Sequence, residues 1–137
     1  MATKTPATNK EIVYTDFTNN FTKHPVKRDL VRSVNEDAVK KALINIIQTD
    51  YYERPMRPLF GANLRKFLFD QITSLTLTAI KSAVETAISN YEPRVDVIDI
   101  VVSSTQPNQV DITVTFALIN RLDQITLNTT VALDRVR

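Results

Sequence analysis

At 137 residues, with 43% hydrophobic and 23% charged residues, the chain has the make-up of a globular domain able to bury one core without disulfides or a metal. Its 17 Lys and Arg stand against 15 Asp and Glu, a net charge of +2 with both signs mixed along the chain, which is not the concentrated basic stripe of a nucleic-acid binder. There is no cysteine, hence no disulfide or thiolate chemistry, and neither a membrane span nor a secretory signal is expected from its short apolar runs.

Residues 1–26 open as a polar, Thr-rich segment and are expected to form a flexible or partner-ordered N-terminal arm, with 27–137 as a single α+β domain. Within the arm, Ile12-Val13-Tyr14 reads as a short strand or an extended anchor. Pro25 biases His24 towards extended geometry, so a loop is expected there rather than a helix. The first helix follows. Asn35 can cap it, Glu36 and Asp37 suit the positive end of its dipole, and Ala38, Val39, Ala42, Leu43, Ile46 and Ile47 share one face. It should end near Thr49, before Glu53-Arg54-Pro55-Met56-Arg57-Pro58-Leu59-Phe60-Gly61.

Gly61 and Asn63 are expected to open a shorter helical piece through Leu64, Phe67 and Leu68 towards Ile72. A third helix carries Leu77, Ile80, Val84, Ala87, Ile88 and Tyr91 at helical spacing and is stopped by Pro93. From Arg94 the period becomes two. Val95 and Val97 alternate, then Ile98, Ile100 and Val102 continue on the other parity, which predicts a bulge or a change of face between Val97 and Ile98. A turn at Gln106-Pro107-Asn108 leads to strict alternation over Val110, Ile112, Val114, Phe116 and Leu118. A last strand puts Ile125, Leu127, Val131 and Leu133 on one face and Thr126, Asn128 and Thr130 on the other. Helices first and a meander last give an α+β fold, with N-terminal helices packed on a C-terminal antiparallel sheet of about three strands.

The chemistry open to these residues is narrow. A Ser-His nucleophile has only His24 to draw on, in the loosest part of the chain, and a zinc site would have one imidazole and no thiolate, so neither is expected. Gly61 is the only glycine, which removes the phosphate-cradling loops. No cofactor and no metal are therefore expected. Glu53 and Glu92, both at helix ends, could converge as the carboxylate pair of a peptidoglycan-degrading hydrolase. Each lies within two residues of an arginine, which favours the ionised form and works against a general acid. Two readings remain for the joints Glu53-Arg54-Pro55 and Glu92-Pro93-Arg94. They are corners whose Glu and Arg side chains pair locally, or they are a rigid docking surface for another protein.

The run Tyr52 to Gly61, followed by Leu64, Phe67 and Leu68 and then by Tyr91-Glu92-Pro93-Arg94 leading into alternating strands, resembles the phage T4-type baseplate wedge or sheath-initiator family, the lysozyme-like gene 25 family. That family includes the equivalent subunit of type VI secretion baseplates. The likeness covers roughly residues 30 to 119, with two motifs in the right order. Tyr52 departs from it, since glycine is expected before the Glu-Arg pair. The resemblance implies a structural subunit of a contractile tail, made in the host cytoplasm and placed in the virion tail baseplate, and no enzyme. Glu92, Pro93 and Arg94, with Glu53, Arg54 and Pro55, would seat it on the helical bundle of the wedge core subunits. The edge formed by Ile125, Thr126, Leu127, Asn128, Thr129, Thr130 and Val131 would take an extended arm of the tail sheath protein by β-augmentation. Tail tube or hub proteins are further candidate partners; nucleic acid and membrane are not.

Overall fold

The computed structural model describes residues 14–18, 21–106, 109–119 and 127–134, and divides the chain into two compact units after Ala38. In the first unit, strand β1 (Thr15–Phe17) pairs antiparallel with β2 (Arg32–Val34), Thr15 opposite Val34. Between them the chain closes a tight loop through the Lys23–Leu30 bridge, where His24 Nδ1 accepts the backbone N–H groups of Val26 and Lys27, each at 3.2 Å. The one imidazole thus organises a turn. Asn35, the expected cap, has φ +48°; its N–H donates to the Tyr14 carbonyl at 2.7 Å and its Oδ1 accepts the Tyr14 N–H at 3.1 Å. Its carboxamide therefore tethers the start of β1.

Helix α1 (Glu36–Gln48) starts where the first unit ends and carries the second unit's first apolar face. Val39, Leu43, Ile46 and Ile47 are all buried, as their i, i+4, i+7, i+8 spacing requires. Each such side chain contributes about 1.5–3 kcal/mol by leaving water. Helix α2 (Arg65–Leu68) is a single turn. Its predecessor Leu64 is buried, but the helix does not continue to Ile72, because the chain there swings out to begin α3 (Ser74–Tyr91). Thr73 caps α3 from extended geometry, its hydroxyl accepting the Thr76 N–H at 3.3 Å. Ile80, Val84, Ala87 and Ile88 form the buried face of α3, and Pro93 follows the last helical hydrogen bond, Glu92 N–H to the Ile88 carbonyl at 2.8 Å.

Strands β3 (Val95–Gln106), β4 (Gln109–Leu118) and β5 (Leu127–Asp134) form an antiparallel sheet in the order β3-β4-β5. The α+β architecture expected from the change of period is the one observed. β4 alternates strictly, burying Val110, Ile112, Val114, Phe116 and Leu118. The register shift between Val97 and Asp99 is the expected bulge. It corrects one detail: Ile98 does not share a face with Ile100 and Val102. The bulge turns Ile98 outward, so that Val95, Val97, Ile100 and Val102 all stand opposite inward residues of β4. Helix α3 packs against β3, with Lys81 Nζ 3.3 Å from Asp99 Oδ1.

Candidate functional site at two joints and a strand edge

The first joint begins where α1 ends. Thr49 closes the helix with its N–H and its hydroxyl both donating to the Asn45 carbonyl, and the chain then folds back on itself. Tyr52 N–H donates to the Pro58 carbonyl at 2.7 Å, Arg57 N–H to the Arg54 carbonyl at 3.0 Å, and Phe60 N–H to the Arg57 carbonyl at 3.0 Å. A loop carrying Pro55 and Pro58 is in this way tied at three points. Tyr52 adopts φ +69°, the left-handed region that glycine enters without cost. This is the physical reason glycine was expected at that position. Gly61 has φ +108°, and Ala62 N–H then donates to the Ile46 carbonyl at 3.2 Å, returning the chain to the end of α1.

Side chains of this joint do not pair Glu53 with Arg54. Glu53 Oε2 accepts the Asp50 N–H at 3.2 Å, while the Arg54 guanidinium lies over the Phe60 ring, 4.0 Å from its centroid. Asp50 instead pairs with Arg65, at 3.3 Å between Oδ2 and Nε, fastening the joint to α2. Met56 is 96% exposed and Tyr52 77% exposed, so the outer surface of a well-tied loop is apolar as well as cationic.

At the second joint Glu92 and Arg94 do pair. Arg94 Nε donates to Glu92 Oε1 at 2.5 Å and Nη2 to Oε2 at 2.6 Å, a two-pronged contact in which the carboxylate is 4% exposed and the arginine side chain 30%. Glu92 is thus turned inward, and the surface of this corner is Pro93 with the outer part of Arg94. The Arg94 carbonyl accepts the Ile119 N–H at 3.1 Å, anchoring the corner to the end of β4.

The link between the two joints is Tyr91, which sequence reasoning placed on a helix face and at the head of the second motif without giving it a contact. Its hydroxyl donates to the Leu59 carbonyl at 2.7 Å, and its ring meets that of Phe60 at 4.8 Å between centroids, tilted by 47°. Two motifs far apart in the chain are thereby one rigid assembly. An aromatic beside each motif was the available signal; which aromatic meets which is set only by the packing of α3.

The third candidate element is the sheet edge. Ile125 and Thr126 lie outside the described residues, and β5 begins at Leu127, with Asn128 next in the strand. Thr129 and Val131 are buried opposite Val114 and Ile112, whereas Thr130 is exposed, its hydroxyl 3.2 Å from that of Thr113 across the strands. Among the described residues β5 pairs with β4 alone, leaving its outer row of backbone groups at the margin of the sheet. No group of acidic or histidine side chains suited to a metal ion exists among the described residues, and no helix among them is long and apolar enough to cross a membrane.

The chain is 39% identical over 69 residues to baseplate wedge protein gp25 of Enterobacteria phage T4, a stretch that is 50% of this chain and spans about half, 52%, of that relative. The fold is shared with a putative tail lysozyme from Geobacter sulfurreducens (TM-score 0.70, 24% identity, 79% of this chain and 97% of that one). It is also shared with a chain of the anti-feeding prophage baseplate (TM-score 0.69, 23% identity, 80% and 89%) and one of the postcontracted pyocin R2 baseplate (0.52, 20%, 77% and 92%). The model of the family described as baseplate wedge protein gp25 matches residues 33–122, which contain both joints, α1 to α3 and the first two strands of the meander; the chain belongs to that family.

Proposed function

We propose that the chain is a wedge subunit that works by being gripped at two places and transforms no substrate. Its joined corners, Glu53-Arg54-Pro55 and Glu92-Pro93-Arg94, seat it on the helical bundle of the wedge core, and the outer margin of β5 receives an extended arm of the first sheath ring. The observation that carries this reading is the buried Glu92–Arg94 pair. Both oxygens of the carboxylate are held by one guanidinium and the side chain is buried, so Glu92 is turned away from any substrate outside, while the same contact fixes Arg94 and Pro93 as a stiff outward corner. The tied first joint presents Met56, Tyr52 and Arg54 beside it, a pre-organised mixture of apolar and cationic groups of the kind protein interfaces use.

The test must respect the burial of Glu92. Arg94→Ala alone leaves a carboxylate buried without its guanidinium and should cost about 3–5 kcal/mol of stability, confounding any assembly defect. Replacing both, Glu92→Met with Arg94→Met, removes charge at similar volume and should be close to neutral for folding. The double variant is expected to melt near the parent temperature yet be missing from purified wedges. Normal incorporation of a folded double variant would remove the docking role.

A further inference from the structure

The tip of the first joint is a tight turn over Arg54-Pro55-Met56-Arg57, closed by the Arg57 N–H donating to the Arg54 carbonyl at 3.0 Å. Pro55 takes the second position of the turn, where its fixed φ suits the geometry. The closure holds the Cα atoms of the two arginines within about 7 Å of each other and leaves Met56, almost fully exposed, at the apex between them. Both arginines are exposed as well. The acids of the joint are engaged elsewhere, Glu53 with the Asp50 N–H and Asp50 with Arg65. Arg54 rests on the Phe60 ring, a contact that holds the guanidinium without drawing its N–H groups into a hydrogen bond, and among the described residues neither Arg54 nor Arg57 has a carboxylate partner.

We infer that this turn reads an acidic surface on the wedge partner: carboxylates of that protein face Arg54 and Arg57, and an apolar hollow between them takes the Met56 side chain. This rests on the proposed docking at the joined corners and deepens it by naming the chemistry of the partner's side. Two guanidiniums held close together repel each other, so an arriving pair of carboxylates relieves that repulsion as well as adding attraction, whereas a basic surface is rejected. Met56, flexible and polarizable, suits an uneven apolar hollow; a phosphate backbone offers it none, which points to protein carboxylates as the anions. The turn is also ready-made. The Tyr52–Pro58 and Phe60–Arg57 hydrogen bonds tie its flanks, and Tyr91 braces the ring under Arg54, so binding has little backbone left to order.

Two measurements on assembled wedges separate this inference from the reading beneath it. Oxidation of Met56 by dilute hydrogen peroxide, followed by mass spectrometry in the free chain and in wedges, reports whether the joint lies in the interface. Incorporation in competition with the parent chain, compared between Arg54→Gln with Arg57→Gln and Arg54→Glu with Arg57→Glu, reports the charge of the surface it meets, because the two pairs are alike in size and differ in sign. Should the glutamate pair fail to fold, Arg57→Glu is compared with Arg57→Gln instead. The expected result is a Met56 shielded in wedges and a graded loss, the glutamine variant below the parent and the glutamate variant at least about tenfold below it. A shielded Met56 with equal incorporation of the glutamine and glutamate variants overturns the acidic partner and leaves docking standing. Oxidation of Met56 as fast in wedges as in the free chain overturns both.

Discussion

Gly61 sits where the first joint rejoins α1, and no side chain fits there. A Cβ would lie 2.1 Å from the Thr49 carbonyl oxygen, and φ +108° is strained for any L-residue. Steric clash with backbone cannot be relieved by a rotamer change, so the loop itself would have to move. Gly61→Ala is expected to cost about 3 kcal/mol or more, seen as a fall of roughly 10 °C in thermal unfolding followed by circular dichroism. An unchanged melt would mean that the joint is soft. Tyr52 shows the opposite tolerance. It also occupies the left-handed region, but at 77% exposure and with room for its ring, so a non-glycine residue survives at a modest strain. The sequence made Gly61 conspicuous by being the only glycine, and Tyr52 by standing where the resemblance led to an expectation of glycine.

Among the elements, α1 and α3 were readable because each buries one continuous stripe at helical spacing. The bulge was readable from two adjacent apolar residues, Val97 and Ile98, that break an alternation. Which of the two would turn outward was not, since both are β-branched and apolar and only the pairing with Phe116 and Thr115 decides it. The extent of α2 was misjudged for a related reason. Ile72 keeps helical spacing from Leu68, but α2 closes at Leu68 and Thr73 is taken up as the extended cap of α3. Thr73→Ala should therefore weaken α3 by about 1 kcal/mol and speed hydrogen exchange at Thr76, while Thr73→Ser should retain both. Equal behaviour of the two variants would show that the cap is idle.

For the molecule as a whole, the decisive contacts are those that join distant segments: Tyr91 to Leu59 and Phe60, Asp50 to Arg65, and Arg94 to the end of β4. Periodicity cannot supply these, because they depend on how helices are placed against the sheet. The resemblance named both joints and the strand margin, but not that Glu92 faces inward or that Tyr91 binds the joints together. With Glu92 enclosed and Glu53 engaged by the Asp50 N–H, the purified chain is expected to release no soluble fragments from peptidoglycan. Release that disappears in Glu53→Gln would instead identify it as a hydrolase.

The irregular strand β3 has a consequence for which border of the sheet is open to another strand. Its bulge, the outward Ile98, and the exposed Asp96 and Asp99 make the far side of the sheet a poor template for another chain, whereas β5 is regular to its end. On the proposed strand addition, such a sheet has polarity, with its regular border at β5 and its irregular border at β3. An added strand would therefore be accepted on the β5 side and discouraged on the β3 side, which gives the sheet a direction.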